Sequence, residues 1–127
     1  MDRTYLLLSG ILGFLGVALG AFGAHGLKAR VEGLPDGQQR LAWWNTGAQY
    51  HLIHALAVGL SAAVAARVPG GTMAGWLFLG GIVLFSGSLY LMTLTGKRAL
   101  GAITPIGGLL FLCGWIAIAI ASTAIVG

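Results

Sequence analysis

Four stretches of the chain, at about Tyr5–Leu27, Leu41–Ala66, Met73–Gly96 and Ala99–Gly127, carry no Asp, Glu, Lys or Arg. Each reaches or exceeds the ~20 residues that an α-helix needs to cross a ~30 Å hydrocarbon layer. Inside that layer a helix satisfies its own backbone hydrogen bonds, so the runs predict an all-α integral membrane protein, a bundle of four transmembrane helices in one domain spanning 1–127. The expected spans are 5–27, 41–66, 73–96 and 104–126, the last opening at Thr104-Pro105, where the missing proline N–H costs nothing. The composition agrees: 57% of the 127 residues are hydrophobic and 8% charged, and the mean hydropathy is +0.91. The first run does not read as a cleaved leader, although Ala21 and Gly23 are small enough for a cleavage site, because its apolar core is too long.

The net charge of +4 is a topology signal. Its cations are scattered through short loops and form no stripe that could track nucleic acid. Lys28, Arg30, Arg40, Lys97 and Arg98 fall in the first and third loops, against Arg3 and Arg67 on the opposite side. The positive-inside rule then makes 28–40 and 97–100 cytoplasmic and puts both termini outside a bacterial inner membrane. In the first loop, "LPDGQQ" reads as a turn in which Asp36 caps the second helix and Gln39 reaches back to it. Trp43, Trp44 and Trp76 lie near span ends and read as interfacial anchors. Cys113, the lone cysteine, has no intramolecular disulfide partner and reads as a small packing residue.

Ser9, Gly13, Gly16, Gly20 and Gly23 recur at spacings of four, three, four and three, a stripe along one helix face. Gly107 and Gly114, and likewise Gly80 and Gly87, stand seven apart. Small residues let transmembrane backbones approach closely, which favours dispersion contacts where no hydrophobic force drives association. The stripes predict tight helix packing, within the chain or against a second copy or another membrane protein.

The second span is the polar one. At 100° per residue Asn45 and Gln49 share one face, whereas Tyr50 and His54 lie nearly opposite, with His51 flanking them. With helix entry at Leu41, Asn45 lies ~6 Å and His54 ~20 Å from the cytoplasmic boundary. His25 ends the first span at about the level of Asn45, and Ser86, Ser88, Tyr90 and Thr93 occupy the cytoplasmic half of the third. Intramembrane polar groups are functional candidates by default, so His25, Asn45, Gln49, Tyr50, His54, Ser86, Ser88 and Tyr90 define an expected shallow pocket opening inward. The alternative is that they satisfy one another and fix helix register. A His-x-x-His pair at 51 and 54 raises metal or haem ligation, but no acid or cysteine completes a zinc site, and one iron cannot take both. Neither metal nor cofactor is expected. No nucleophile–base pair or phosphate-cradling loop is present either, so the chain does not read as an enzyme.

"ALGAFGAHGL" (18–27), "WWNTGAQYHLIHALAV" (43–58), "LFSGSLYLMTL" (84–94) and "TPIGGLLFLCGW" (104–115) together closely resemble the YgdD-type family of small bacterial inner-membrane proteins, a family of unknown function with small eukaryotic transmembrane relatives. The matching positions include Gly20, Phe22, Gly23, Ala24, His25, Tyr50, His54, Ser86, Gly87, Ser88, Tyr90, Thr104 and Pro105. The resemblance implies a four-helix inner-membrane protein and supplies no activity. His51 departs from the family's pattern, which weakens the two-histidine metal idea. Three function classes follow: an accessory or structural protein that docks its glycine-rich faces, a homo-oligomeric small-solute carrier or channel using His54 and Tyr50, and a metal or haem redox protein.

Overall fold

In the computed structural model, which describes residues 2–125, the chain forms four antiparallel rods. We label them α1 (Arg3–Val31), α2 (Gly37–Ala65), α3 (Ala74–Thr95) and α4 (Arg98–Ser122), each long and apolar enough to cross a membrane. They overrun the expected spans at both ends of α1 and at the starts of α2 and α4, because a helix continues into the headgroup region beyond its apolar run, and they stop one to four residues short at the other ends. The expected end of the last span, at 126, lies outside the described residues; regular helix ends at Ser122.

Two rods change pitch along their length. α1 widens into a π-helical turn at Gly23–Leu27, and α3 does so at Ile82–Ser86. α4 opens with a 3₁₀ turn at Arg98–Ala102, and its α-helical part starts at Thr104 with Pro105 in the first turn, as its sequence predicts. α3 stops at Gly96, whose φ of 72° is left-handed, a conformation nearly free to glycine and costly to other residues.

The rods are not equivalent. α1 packs almost wholly on α2 and α4 almost wholly on α3, while α2 and α3 pack on each other. In its most apolar stretch α2 or α3 is 44% buried, against 17% for α1 or α4. The centre of the molecule is therefore the α2–α3 pair, with α1 and α4 as flanks. Tyr5, Val58, Ala74, Phe78 and Phe111 form the main core. A smaller cluster of Leu27, Val31 and Trp44 closes the end that carries the basic loops.

The glycines divide into filled and open. A Cβ on Gly107 would strike the backbone of Phe85; one on Gly81 or Gly114 would strike the rings of Phe111 or Phe78. Gly80 sits against Leu110, Gly16 under Leu52 and Gly23 under Trp44. Ser9 donates to the Ala55 carbonyl at 2.8 Å. Gly13, Gly20 and Gly87 have nothing within 4 Å of where a Cβ would stand, so the packing expected of them is not made within this chain. The reason is angular. The five small residues of α1 spread over about 80° of its circumference, and α2 covers only the edge that holds Gly16 and Gly23.

Two local expectations are corrected at the basic end. Asp36 makes no cap bond; its Oδ2 accepts instead from Arg40 Nε at 3.1 Å. Gln39 does not reach back but accepts from Arg98 at 2.6 Å. Trp43 lies beneath the Arg98 guanidinium, 5.5 Å from its ring centre, as an interfacial residue should. Trp44 is no anchor: it is 3% exposed and donates its indole N–H to the Leu19 carbonyl at 2.8 Å, just before the π turn of α1.

Candidate functional site: the polar residues of the second helix

The polar residues of α2 point two ways. His51 and His54 face the interior and are each 4% exposed, whereas Asn45, Gln49 and Tyr50 are exposed.

His54 is held on every side. Its Nδ1 lies 2.7 Å from the Tyr50 carbonyl, so Nδ1 carries the proton and Nε2 is left as an acceptor. The Trp115 indole N–H, across the bundle on α4, donates to that Nε2 at 3.1 Å. The ring stacks on Phe111 at 3.6 Å between centroids. Phe78 closes another side, and Phe85 extends the cluster by packing against Tyr50 and Phe111. This is a neutral imidazole with both nitrogens used, inside an aromatic box.

His51 is half satisfied. Its Nδ1 pairs with the Tyr90 hydroxyl at 2.9 Å. Its Nε2, buried against α1, has no hydrogen-bond partner among the described residues; the Leu12 backbone lies close enough to interact with the ring without supplying that bond.

The hydroxyls of α3 are spent on backbone and neighbours. Ser86 donates to the Gly47 carbonyl at 2.6 Å and so staples α3 to α2. Ser88 pairs with Thr104 of α4 at 2.6 Å. Thr93 donates to the Arg40 carbonyl at 3.0 Å, and the Arg40 guanidinium in return reaches the Thr93 carbonyl at 3.3 Å.

Of the eight expected pocket residues, then, His54, Ser86 and Ser88 are buried, and each is engaged by its own bonds. Ser88 and Tyr90 border a groove of about 460 Å³ on the outer face of α3 and α4. His25 is exposed within the π turn of α1. The amides of Asn45 and Gln49 make no hydrogen bond among the described residues. No group of three metal-ligating side chains occurs among the described residues. Beyond the membrane spans, Asp36 has its carboxyl held below the usual range, first by the Arg40 hydrogen bond and also by the charges of Arg40 and Arg98.

Sequence reading missed Trp115, Phe111 and Phe85 as the partners of α2. A signal existed: Trp115 lies about 16 Å into its helix from Thr104, too deep for an interfacial tryptophan.

Four apolar rods with a polar seam at their centre, satisfied except at His51 Nε2, define a small multi-pass membrane protein. The chain belongs to the family described as "Protein of unknown function (DUF423)", which matches residues 19–108. It is 46% identical over 123 residues to the UPF0382 membrane protein YwdK of Bacillus subtilis, covering 94% of this chain and 96% of that one. A UPF0382 membrane protein of Haemophilus influenzae is 44% identical over 125 residues, covering 96% and 95% of the two chains. The UPF0382 inner membrane protein YgdD of Escherichia coli is 41% identical over 116 residues, covering 90% and 85%. No solved structure matches the chain.

Proposed function

We propose that this chain is a non-enzymatic accessory protein of the bacterial inner membrane that works by docking one lipid-facing surface onto another membrane protein chain. One contrast carries the reading. The interior histidine His54 has both nitrogens satisfied by its own chain, while two amides on the outer face, Asn45 and Gln49, have none of their capacity used by the described residues. A carrier leaves its polar groups open towards a solute path; a docking protein leaves them open towards a neighbour. The native mass of gently extracted protein, with everything that accompanies it, tests this reading. A particle larger than one chain supports docking, and a lone chain of 13.0 kDa in every mild extraction overturns it.

A carrier is the second reading, and one atom favours it: His51 Nε2, buried without a partner. Solute flux into vesicles that is lost in His51→Phe would support it.

The proposed orientation places 28–40 and 97–100 in the cytoplasm, with both termini outside. The Arg98 contacts to Gln39 and Trp43 support it by joining the two basic loops at one end of the bundle. Labelling of a cysteine introduced at Gly33, by a reagent that cannot cross the membrane, tests this: protection in intact cells is expected.

A further inference from the structure

The outward amides have a definite setting. On α1 and α2 three contacts trace one seam: Ser9 faces Gly59, Leu52 lies over Gly16, and Asn45 Oδ1 stands 3.3 Å from where a Cβ on Gly23 would be. Gly13 and Gly20 alternate with Gly16 and Gly23 along α1 and flank this seam on its lipid side, where nothing approaches them. Gln49 follows Asn45 by one helical turn on the same face of α2. From helix entry near Leu41, the two amides lie about 6 Å and 12 Å into the hydrocarbon. There neither water nor lipid tails can bond them, and a polar group without a partner is costly.

A partner for this surface must meet three conditions: it offers both donors and acceptors, it carries them at two depths, and it lets backbones come close over Gly13 and Gly20. An anionic or cationic segment fails the first, since it supplies only acceptors or only donors. A primary amide is both, and pairs with a copy of itself. A two-fold axis along the bilayer normal brings identical residues to identical depths, as an isologous interface requires.

Resting on the docking reading above, we propose that the partner is a second copy of this chain, joined across the Gly13/Gly20 edge of α1 and the Asn45/Gln49 face of α2. Gln49 and Asn45 are the polar contacts of that interface, and the open glycines set its closeness of approach.

The test uses the full chain in its own membranes. With the exposed Cys113 changed by Cys113→Ala, Gln49→Cys is expected to give a covalent dimer under a mild oxidant. Leu109→Cys, exposed on α4, is expected to stay monomeric. In vesicles, Gln49→Leu is expected to weaken association about nine-fold, from two interhelical hydrogen bonds lost per dimer at about three-fold each, and Gln49→Asn to restore most of it. Because Gln49 bonds nothing among the described residues, the melting temperature of the Leu variant's monomer should match the parent's, which separates lost association from lost fold. A dimer unaffected by Gln49→Leu, or cross-linked through Leu109→Cys and not through Gln49→Cys, overturns the proposal. So does a foreign subunit held in fixed ratio and released by Gln49→Leu, but that result leaves the docking reading standing. A lone monomer overturns both.

Discussion

The two glycine seams of this molecule look alike as sequence and differ as structure. Between α3 and α4, Gly81, Gly107 and Gly114 receive Phe111, Phe85 and Phe78 so closely that no methyl group would fit. On α1 two glycines of the same spacing, Gly13 and Gly20, face empty space. The difference is where the large residues are. α3 and α4 set a ring against Gly81 and Gly114 and the Phe85 backbone against Gly107, whereas the large side chains of α2 reach α1 at Gly16 and Gly23, chiefly Leu52 and Trp44. A transmembrane glycine is thus a hole whose meaning depends on the side chain across from it, and spacing alone does not say whether it is filled.

Substitutions can break that comparison. The largest effect is expected at Gly107→Leu: its side chain would meet the Phe85 backbone, which cannot rotate away, so a loss of 3 kcal/mol or more, at or above the usual ~1–3 kcal/mol overpacking range, should appear as a fold lost in mild detergent. Gly13→Leu should leave monomer stability within about 0.5 kcal/mol. If the two variants unfold alike, the distinction between filled and open seams is wrong.

Next comes His54→Ala, which empties the aromatic box and leaves the Trp115 N–H without an acceptor. Removing a buried ring of this size costs ~3 kcal/mol, read as a large fall in melting temperature. His51 should behave differently. The double variant His51→Leu, Tyr90→Phe removes a half-satisfied imidazole together with its partner and keeps the side-chain volumes close. Replacing both members of a buried polar pair by apolar groups of similar shape is nearly neutral or stabilising, so this chain should melt no lower than the parent. A marked fall would mean that His51 Nε2 has a partner in the membrane.

The smallest effect is at the basic loop. The carboxyl of Asp36 titrates lower in the folded chain than in the unfolded one, chiefly through its bond to Arg40. Its contribution is therefore present above the unfolded carboxyl pKa of about 3.9 and is lost as pH falls through the lower folded value. The pair is exposed, so Asp36→Asn should only flatten the acid limb of a pH–stability curve slightly.

How much of this was legible in the sequence varies by scale. The four spans follow from charge-free length alone, and the family from quoted segments that run through all of them. The faces of α2 were also legible: Asn45 and Gln49 do point away from His54. What failed was the step from face to neighbour. Trp44 was read by its position near a span end, yet Gly23 opposite gives it a socket that only the fold brings near. Ser86, Tyr90 and His54 were grouped by depth, but depth does not separate a hydroxyl that bonds a carbonyl across the helix pair from one that lines an opening. Sequence gives polarity and height in the bilayer, and pairing across helices needs the azimuth of every rod.

The two wide turns, Gly23–Leu27 and Ile82–Ser86, make that azimuth a matter of counting. A residue gained or lost inside a helix rotates everything beyond it by about 100°. Beyond the first turn lie Lys28 and Arg30; beyond the second lie Ser88, which pairs with Thr104, and Tyr90, which pairs with His51. The number of residues between Phe22 and Lys28, and between Gly81 and Gly87, is therefore as much a part of the design as their identity: shortening either turn by one would leave every letter downstream correct and aim each of them at the wrong neighbour.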